Sequence, residues 1–152
     1  MSRQRVEEWI REKKLSWRIH FLGRSVKTVK EAASAVGVSP QNIVKTVIVV
    51  CGGGVYACIV PGDKRLSFRK LSILLECPPR LARPREVLEY TGYSVGGVPP
   101  APLPSSVQVI VDERVLSRKR VWGGGGDEET LLEFNPREYV SIVNARIADI
   151  SE

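Results

Sequence analysis

Ile43-Val44-Lys45-Thr46-Val47-Ile48-Val49-Val50, then Cys51-Gly52-Gly53-Gly54, then Val55-Tyr56-Ala57-Cys58-Ile59-Val60 is the stretch that decides the fold. Two runs rich in β-branched residues flank a short glycine-rich link, which is the composition of a β-hairpin. No charge occurs from Thr46 to Gly62, but that stretch falls short of the ~20 apolar residues a membrane-spanning helix needs and three glycines interrupt it. The one charge inside the hairpin is Lys45. Period-two alternation sets it on the same face as Ile43, Val47 and Val49, an apolar face. An ammonium there either bears a desolvation cost or reaches a polar cleft, which makes Lys45 a candidate for binding or polarising a ligand. The competing reading is a frayed strand start, with the four-carbon stem carrying the charge to water.

Working outward, Val6 to Leu15 reads as a helix with Val6, Trp9 and Ile10 on one side, followed by a strand around Trp17, Ile19 and Phe21. Thr28 with Glu31 three residues on is a capping-box signature, and Gly37 is placed to end the helix Val29–Val36. Downstream, Ser67 can cap a helix running through Leu75, and Pro84 opens another that stops at Gly92. Val107–Val111 and Thr130–Phe134 read as strands, and Asn135, Pro136 and Glu138 set cap, first-turn proline and capping acid in register for a last helix. Short strands mixed with helices at irregular spacing predict a single α+β domain around a curved, mixed β-sheet.

The chain has 152 residues, 43% hydrophobic and 26% charged, enough for one domain with a real core. Its net charge of +6 is uneven: residues 1–30 carry nine basic and three acidic side chains, while residues 31–152 carry fourteen of each. Within the balanced part, Lys64, Arg65, Arg69, Lys70, Arg80, Arg83 and Arg85 form one basic cluster and Arg114, Arg118, Lys119 and Arg120 another. Such clusters suit a polyanion, whose neutralised phosphates release counterions; a merely solvated basic surface is the alternative. One histidine, His20, excludes histidine-rich metal chemistry; it could serve as a general base, but the sequence offers it few partners for a standard triad, and a structural histidine is the competing reading. Cys51, Cys58 and Cys77 match neither a metal site nor an even disulfide framework, so they read as small hydrophobes. No cofactor is called for. With no signal-like apolar stretch at the N-terminus, a reducing cytoplasm is the expected compartment.

Two further segments stand out. Thr91 to Val111 is twenty-one residues without a charge and contains Gly96-Gly97-Val98-Pro99-Pro100. Its glycines permit close backbone approach and its prolines remove donors, leaving few N–H groups to meet a ligand. Gly123-Gly124-Gly125-Gly126 is followed by Asp127-Glu128-Glu129, acids that would repel a phosphate, so it is no phosphate-binding loop. It reads as a tight turn or as a glycine surface lining a pocket.

Taken in order, Thr28-Val29-Lys30-Glu31-Ala32-Ala33, Val38-Ser39-Pro40-Gln41-Asn42-Ile43-Val44-Lys45-Thr46, Gly92 with Gly96-Gly97-Val98-Pro99-Pro100, and Trp122-Gly123-Gly124-Gly125 resemble the YbaK/EbsC family of prolyl-tRNA editing domains. The resemblance runs from about Trp17 to Glu152, with residues 1–16 as an added basic helix packed on a 17–152 editing domain. It implies a partial barrel with helices outside, and hydrolysis of the ester joining a wrong, small amino acid such as Ala, Cys or Ser to a tRNA. The family's lysine falls on Lys45 and its glycine–proline loop on Gly96 to Pro100, so Lys45, Gly96 and Pro100 are the catalytic candidates. His20, Thr28, Gly97, Val98, Pro99, Gly123 and Gly124 are the substrate-binding candidates. Arg3, Arg5, Arg11, Lys13, Lys14, Lys64, Arg65, Arg69 and Lys70 are the candidates for holding the tRNA. The partners so implied are a mischarged tRNA and an aminoacyl-tRNA synthetase, with no membrane. A different class is a non-catalytic tRNA- or synthetase-binding module that keeps the pocket for recognition alone. A nucleotide-binding protein is disfavoured for want of a lysine-terminated phosphate loop.

Overall fold

The computed structural model describes residues Ser2 to Glu152. Its centre is the predicted hairpin: β2 (Val44–Cys51) pairs antiparallel with β3 (Gly54–Pro61), in register from Val44 opposite Pro61 to Cys51 opposite Gly54. β3 continues in parallel to β5 (Val107–Asp112), which pairs in parallel with β8 (Arg146–Ala148). On the other edge β2 takes the two-residue β4 (Arg80–Leu81), giving a mixed sheet in the order β4-β2-β3-β5-β8. A second, antiparallel sheet has β7 (Thr130–Phe134) between β1 (Arg18–Phe21) and β6 (Val121–Gly124). A parallel bridge from Ile43 to Trp122 joins the two sheets where β2 begins. The domain is thus α+β with an open, partial-barrel arrangement, and the single curved sheet read from the sequence is two sheets meeting at Ile43.

The helices begin and end where local chemistry dictates. Around α2 (Val29–Val36), Thr28 Oγ1 accepts from the Glu31 N–H at 3.1 Å and the Glu31 carboxylate receives the Thr28 N–H at 3.3 Å. Gly37 ends the helix at φ 70°, the left-handed region glycine adopts freely. For α5 (Pro136–Val143), Asn135 Oδ1 accepts from Arg137 and Glu138 N–H groups at 2.9 and 3.1 Å. α1 (Ser2–Lys13) buries Val6 and Ile10 in the same core as Trp17, Tyr93, Phe134 and Tyr139. α3 (Phe68–Leu75) lays Leu71 over the Val49, Cys58, Val60 face of the hairpin. α4 (Pro84–Thr91) inserts Val87 against Ile48, Ala57 and Ala82.

The cysteine reading requires correction. Cys51, at the end of β2, and Cys77, just before β4, form a disulfide with Cα atoms 5.8 Å apart. Their 26-residue separation is closed by the hairpin and α3, a proximity that spacing alone does not reveal. Only Cys58 conforms to expectation: it is free and buried, and desolvation pushes its thiol up to about 12.

Candidate active site

β2, α2, β4, α4, β6 and the 95–98 loop enclose a cavity of about 310 Å³. Its floor is the strand Val44-Lys45-Thr46-Val47-Ile48, one wall is Thr28, Val29 and Ala32, and the facing wall is Leu81, Ala82, Pro84 and Val87. Gly96, Val98, Gly123 and Gly124 belong to the lining as well, as do Val26, Lys27, Ile43, Val95 and Leu131. Two glycines explain how the parts come so close. Gly96 turns the loop at φ 94°, and a Cβ on Gly124 would collide with the Val98 carbonyl, so loop and β6 touch only because that position is bare.

Lys45 is half-buried at the edge of this cavity. Its Nζ donates to the Lys64 carbonyl in the turn after β3. Desolvation pulls the ammonium's pKa below the ordinary lysine value, Asp63 pulls it back up, and Arg65 lowers it further. An ammonium has three N–H donors, so the Lys64 carbonyl orients Lys45 and leaves two for a ligand. In the loop, the Gly97 N–H is engaged by Ser94 O at 3.0 Å and Pro99 and Pro100 have none. That leaves the N–H groups of Gly96 and Val98, both on residues lining the cavity, as the loop's remaining backbone donors among the described residues.

The structure therefore brings Lys45, Thr28, Gly96, Val98, Gly123 and Gly124 together. The other site candidates lie elsewhere. Gly97 packs on Asp127, where an added Cβ would stand 2.8 Å from its Cα, and the Pro100 carbonyl accepts from the buried Tyr139 hydroxyl at 2.7 Å. Pro99 is buried and outside the cavity lining. His20, on β1, bonds Glu133 Oε1 at 2.9 Å through Nε2 and does not line the cavity. Thr28 reaches it from the α2 cap.

Sequence reasoning missed Thr46, whose buried hydroxyl has no hydrogen-bond partner among the described residues, and the whole wall from Leu81 to Val87. The helix-opening Pro84 was the only trace of that wall in the sequence.

The basic candidates are in unequal states. Arg3 stacks over Phe21 at 4.4 Å and pairs with Glu7 at 3.6 Å, while Arg5 lies 5.0 Å over the Tyr93 ring. Lys70 is held by Asp149 at 2.9 Å and by the Ser151 carbonyl at 2.7 Å. Arg11, Lys13, Lys14, Lys64, Arg65 and Arg69 are exposed. No group of three or more His, Cys, Asp or Glu side chains is arranged to hold a metal among the described residues. Among the described residues no helix is long and apolar enough to cross a membrane.

The described residues thus build an apolar hollow at a sheet edge, with a tethered lysine and a glycine-built rim. The chain belongs to the aminoacyl-tRNA editing domain family, whose profile matches residues 24–142. It is 53% identical to the solved hypothetical protein APE2540, with TM-score 0.92 over 97% of this chain and 99% of that one. It is also 35% identical to a candidate trans-editing enzyme for prolyl tRNA synthetase, with TM-score 0.92 over 99% and 97% of the two chains. Against the proline–tRNA ligase of Thermotoga neapolitana it is 32% identical over 117 residues, 75% of this chain but 20% of the ligase. The uncharacterized protein YwhH of Bacillus subtilis is 30% identical over 115 residues, 75% and 73% of the two chains.

Proposed function

We propose that this protein is a trans-editing deacylase that hydrolyses the ester of a mischarged tRNA bearing a small amino acid such as alanine, cysteine or serine. The observation that carries the reading is Lys45, an oriented, partly desolvated ammonium at the edge of an apolar hollow whose other rim offers the Gly96 and Val98 N–H groups. An aminoacyl ester is already labile, so positioning and charge stabilisation suffice. Water adds to the acyl carbon and the carbonyl oxygen takes up negative charge. The bond to the ribose oxygen then breaks, and that oxygen leaves with a proton, releasing free amino acid. The loop N–H groups face the oxyanion, and Lys45 holds the ester by its carbonyl or adenosine end. The apolar lining fits a short side chain, and such a pocket separates neighbours by ~1–3 kcal/mol per methylene. Its place of action is the cytoplasm, with tRNA and an aminoacyl-tRNA synthetase as partners.

Single-turnover deacylation across a panel of mischarged tRNAs tests the reading. Lys45→Ala is expected to slow the enzyme-dependent rate at least ~10²-fold, the effect of losing one preorganised electrostatic group. Because burial lowers the Lys45 pKa, the charged form is lost at a pH below the ordinary lysine value, and the rate should decline there on the alkaline side. Equal rates for the two proteins, or protection of the ester without turnover, would replace the deacylase with the binding module.

A further inference from the structure

Among the described residues seven large apolar side chains are more than a third exposed, and three of them, Leu81, Leu88 and Val95, stand on or next to the segments that line the cavity. Leu81 and Val95 line it directly, as does Pro84, and Leu88 follows Pro84 by one turn on the same face of α4. At 60%, 53% and 51% exposure these three form an apolar ledge that continues the hollow outward. Charges of both signs stand beside the ledge, with Glu86 and the exposed Glu89 on α4 among three arginines, and they differ in availability. Arg80 is locked in two 2.8 Å bonds to Glu86. Arg83 and Arg85, flanking Pro84, are exposed and make no ion pair among the described residues.

An apolar pocket of about 310 Å³, an apolar ledge at its lip and two free guanidinium groups alongside match one kind of ligand: a chain of flat rings joined by phosphates that enters by its acylated end. A protein partner would need roughly 20–30 residues a side, far beyond this ledge. We propose that Leu81, Leu88 and Val95 receive the bases of the unpaired 3′-terminal nucleotides of an aminoacylated tRNA, and that Arg83 and Arg85 hold the phosphates between them. This rests on the deacylase reading and moves the main nucleic-acid contact away from α1, where Arg3 and Arg5 are already engaged with aromatic rings.

The test uses two probes and the full chain. One is a fluorescein-labelled single-stranded RNA ending in CCA, followed by anisotropy against salt; the other is alanyl-adenosine, which carries the ester without neighbouring nucleotides. Leu88→Glu is expected to weaken RNA binding about 10-fold, the scale of one lost base contact. The Arg83→Glu/Arg85→Glu pair should also weaken it and flatten the logarithmic salt slope by about 1.4, as for two phosphates of a single strand. Both variants should hydrolyse alanyl-adenosine at the wild-type rate. RNA affinity and salt slope unchanged in both variants overturn the proposal, as does equal wild-type affinity for a blunt duplex. A concentration-dependent dimer that Leu88→Glu abolishes overturns it in favour of a second copy. Wild-type protein that binds the RNA through these residues but cleaves neither alanyl-adenosine nor mischarged tRNA upholds the ledge and removes the deacylase.

Discussion

Two polar regions flank the central hairpin and are completed in opposite ways. At the end of β5, Asp112 is wholly enclosed, and its carboxylate accepts from the Ile150 N–H and Ser151 Oγ at 2.9 Å each, and from Arg114 Nη1 and N–H at 3.1 and 3.3 Å. On β2, among the described residues, the Thr46 hydroxyl is buried with no partner, and its neighbour Lys45 has a single acceptor and a pKa lowered by burial. A chain that saturates one buried group and leaves the other open can do so only if the open one is completed from outside or tolerated at a cost. The first region fastens the C-terminus to the sheet; the second faces a hollow.

The largest effect is expected at the saturated end. Asp112→Ala leaves the Ile150 N–H and the Ser151 hydroxyl without their acceptor and strips Arg114 of one of its carboxylates, so unfolding free energy should drop by about 4 kcal/mol. Denaturant titration measures this, and the deacylation rate per folded molecule should not change. A protein equally stable but inactive would erase the division between the two regions.

Next in size is the Cys51–Cys77 bond, which ties the far end of β2 to the segment forming the cavity's outer wall. Its 26-residue separation gives a chain-entropy contribution of roughly 3.5 kcal/mol. Beyond the bond, β4 is held to β2 by two residue pairs and by the Ala82 N–H on Ile48 O at 2.9 Å. Cys77→Ser should therefore raise hydrogen exchange across residues 77–87 while leaving the Asp112 region protected. Uniform loosening of both would show that the wall has no independence.

What could be read in advance divides along the same physical line. The hairpin was legible because an uncharged β-branched run interrupted by glycines admits few other structures, and α2 because cap and terminator are both written within ten residues. The face of Lys45 followed from alternation, but not its tether, since the Lys64 carbonyl is contributed by a turn with no side-chain signature. β4 and β8 are two and three residues long, too short for any period, and exist only through their partners. His20 carried a functional reading through rarity alone, and its position opposite Leu131 in the β1–β7 pair, beside Glu133, places it away from the hollow. The glycine run admitted a tight turn or a pocket-lining surface: Gly123 and Gly124 lie in β6 and line the cavity, while Gly126, at φ 109° between β6 and β7, makes room for the Ser2 carbonyl, 2.7 Å from where its Cβ would stand.

The smallest effect is the most discriminating. Thr46→Val keeps the shape of the side chain and removes the hydroxyl that has no partner among the described residues. A buried unsatisfied group costs about 1–3 kcal/mol, so the variant should be more stable by about 1 kcal/mol in a denaturant titration. If the open group is completed by substrate, the same change should lower kcat/KM for the mischarged tRNA about 10-fold, because a bound polar atom then faces a methyl group. Stability and activity would thus move in opposite directions from a change of one atom. A variant less stable than the parent would mean that Thr46 is satisfied within the fold, and the contrast with Asp112 would fail at its sharpest point.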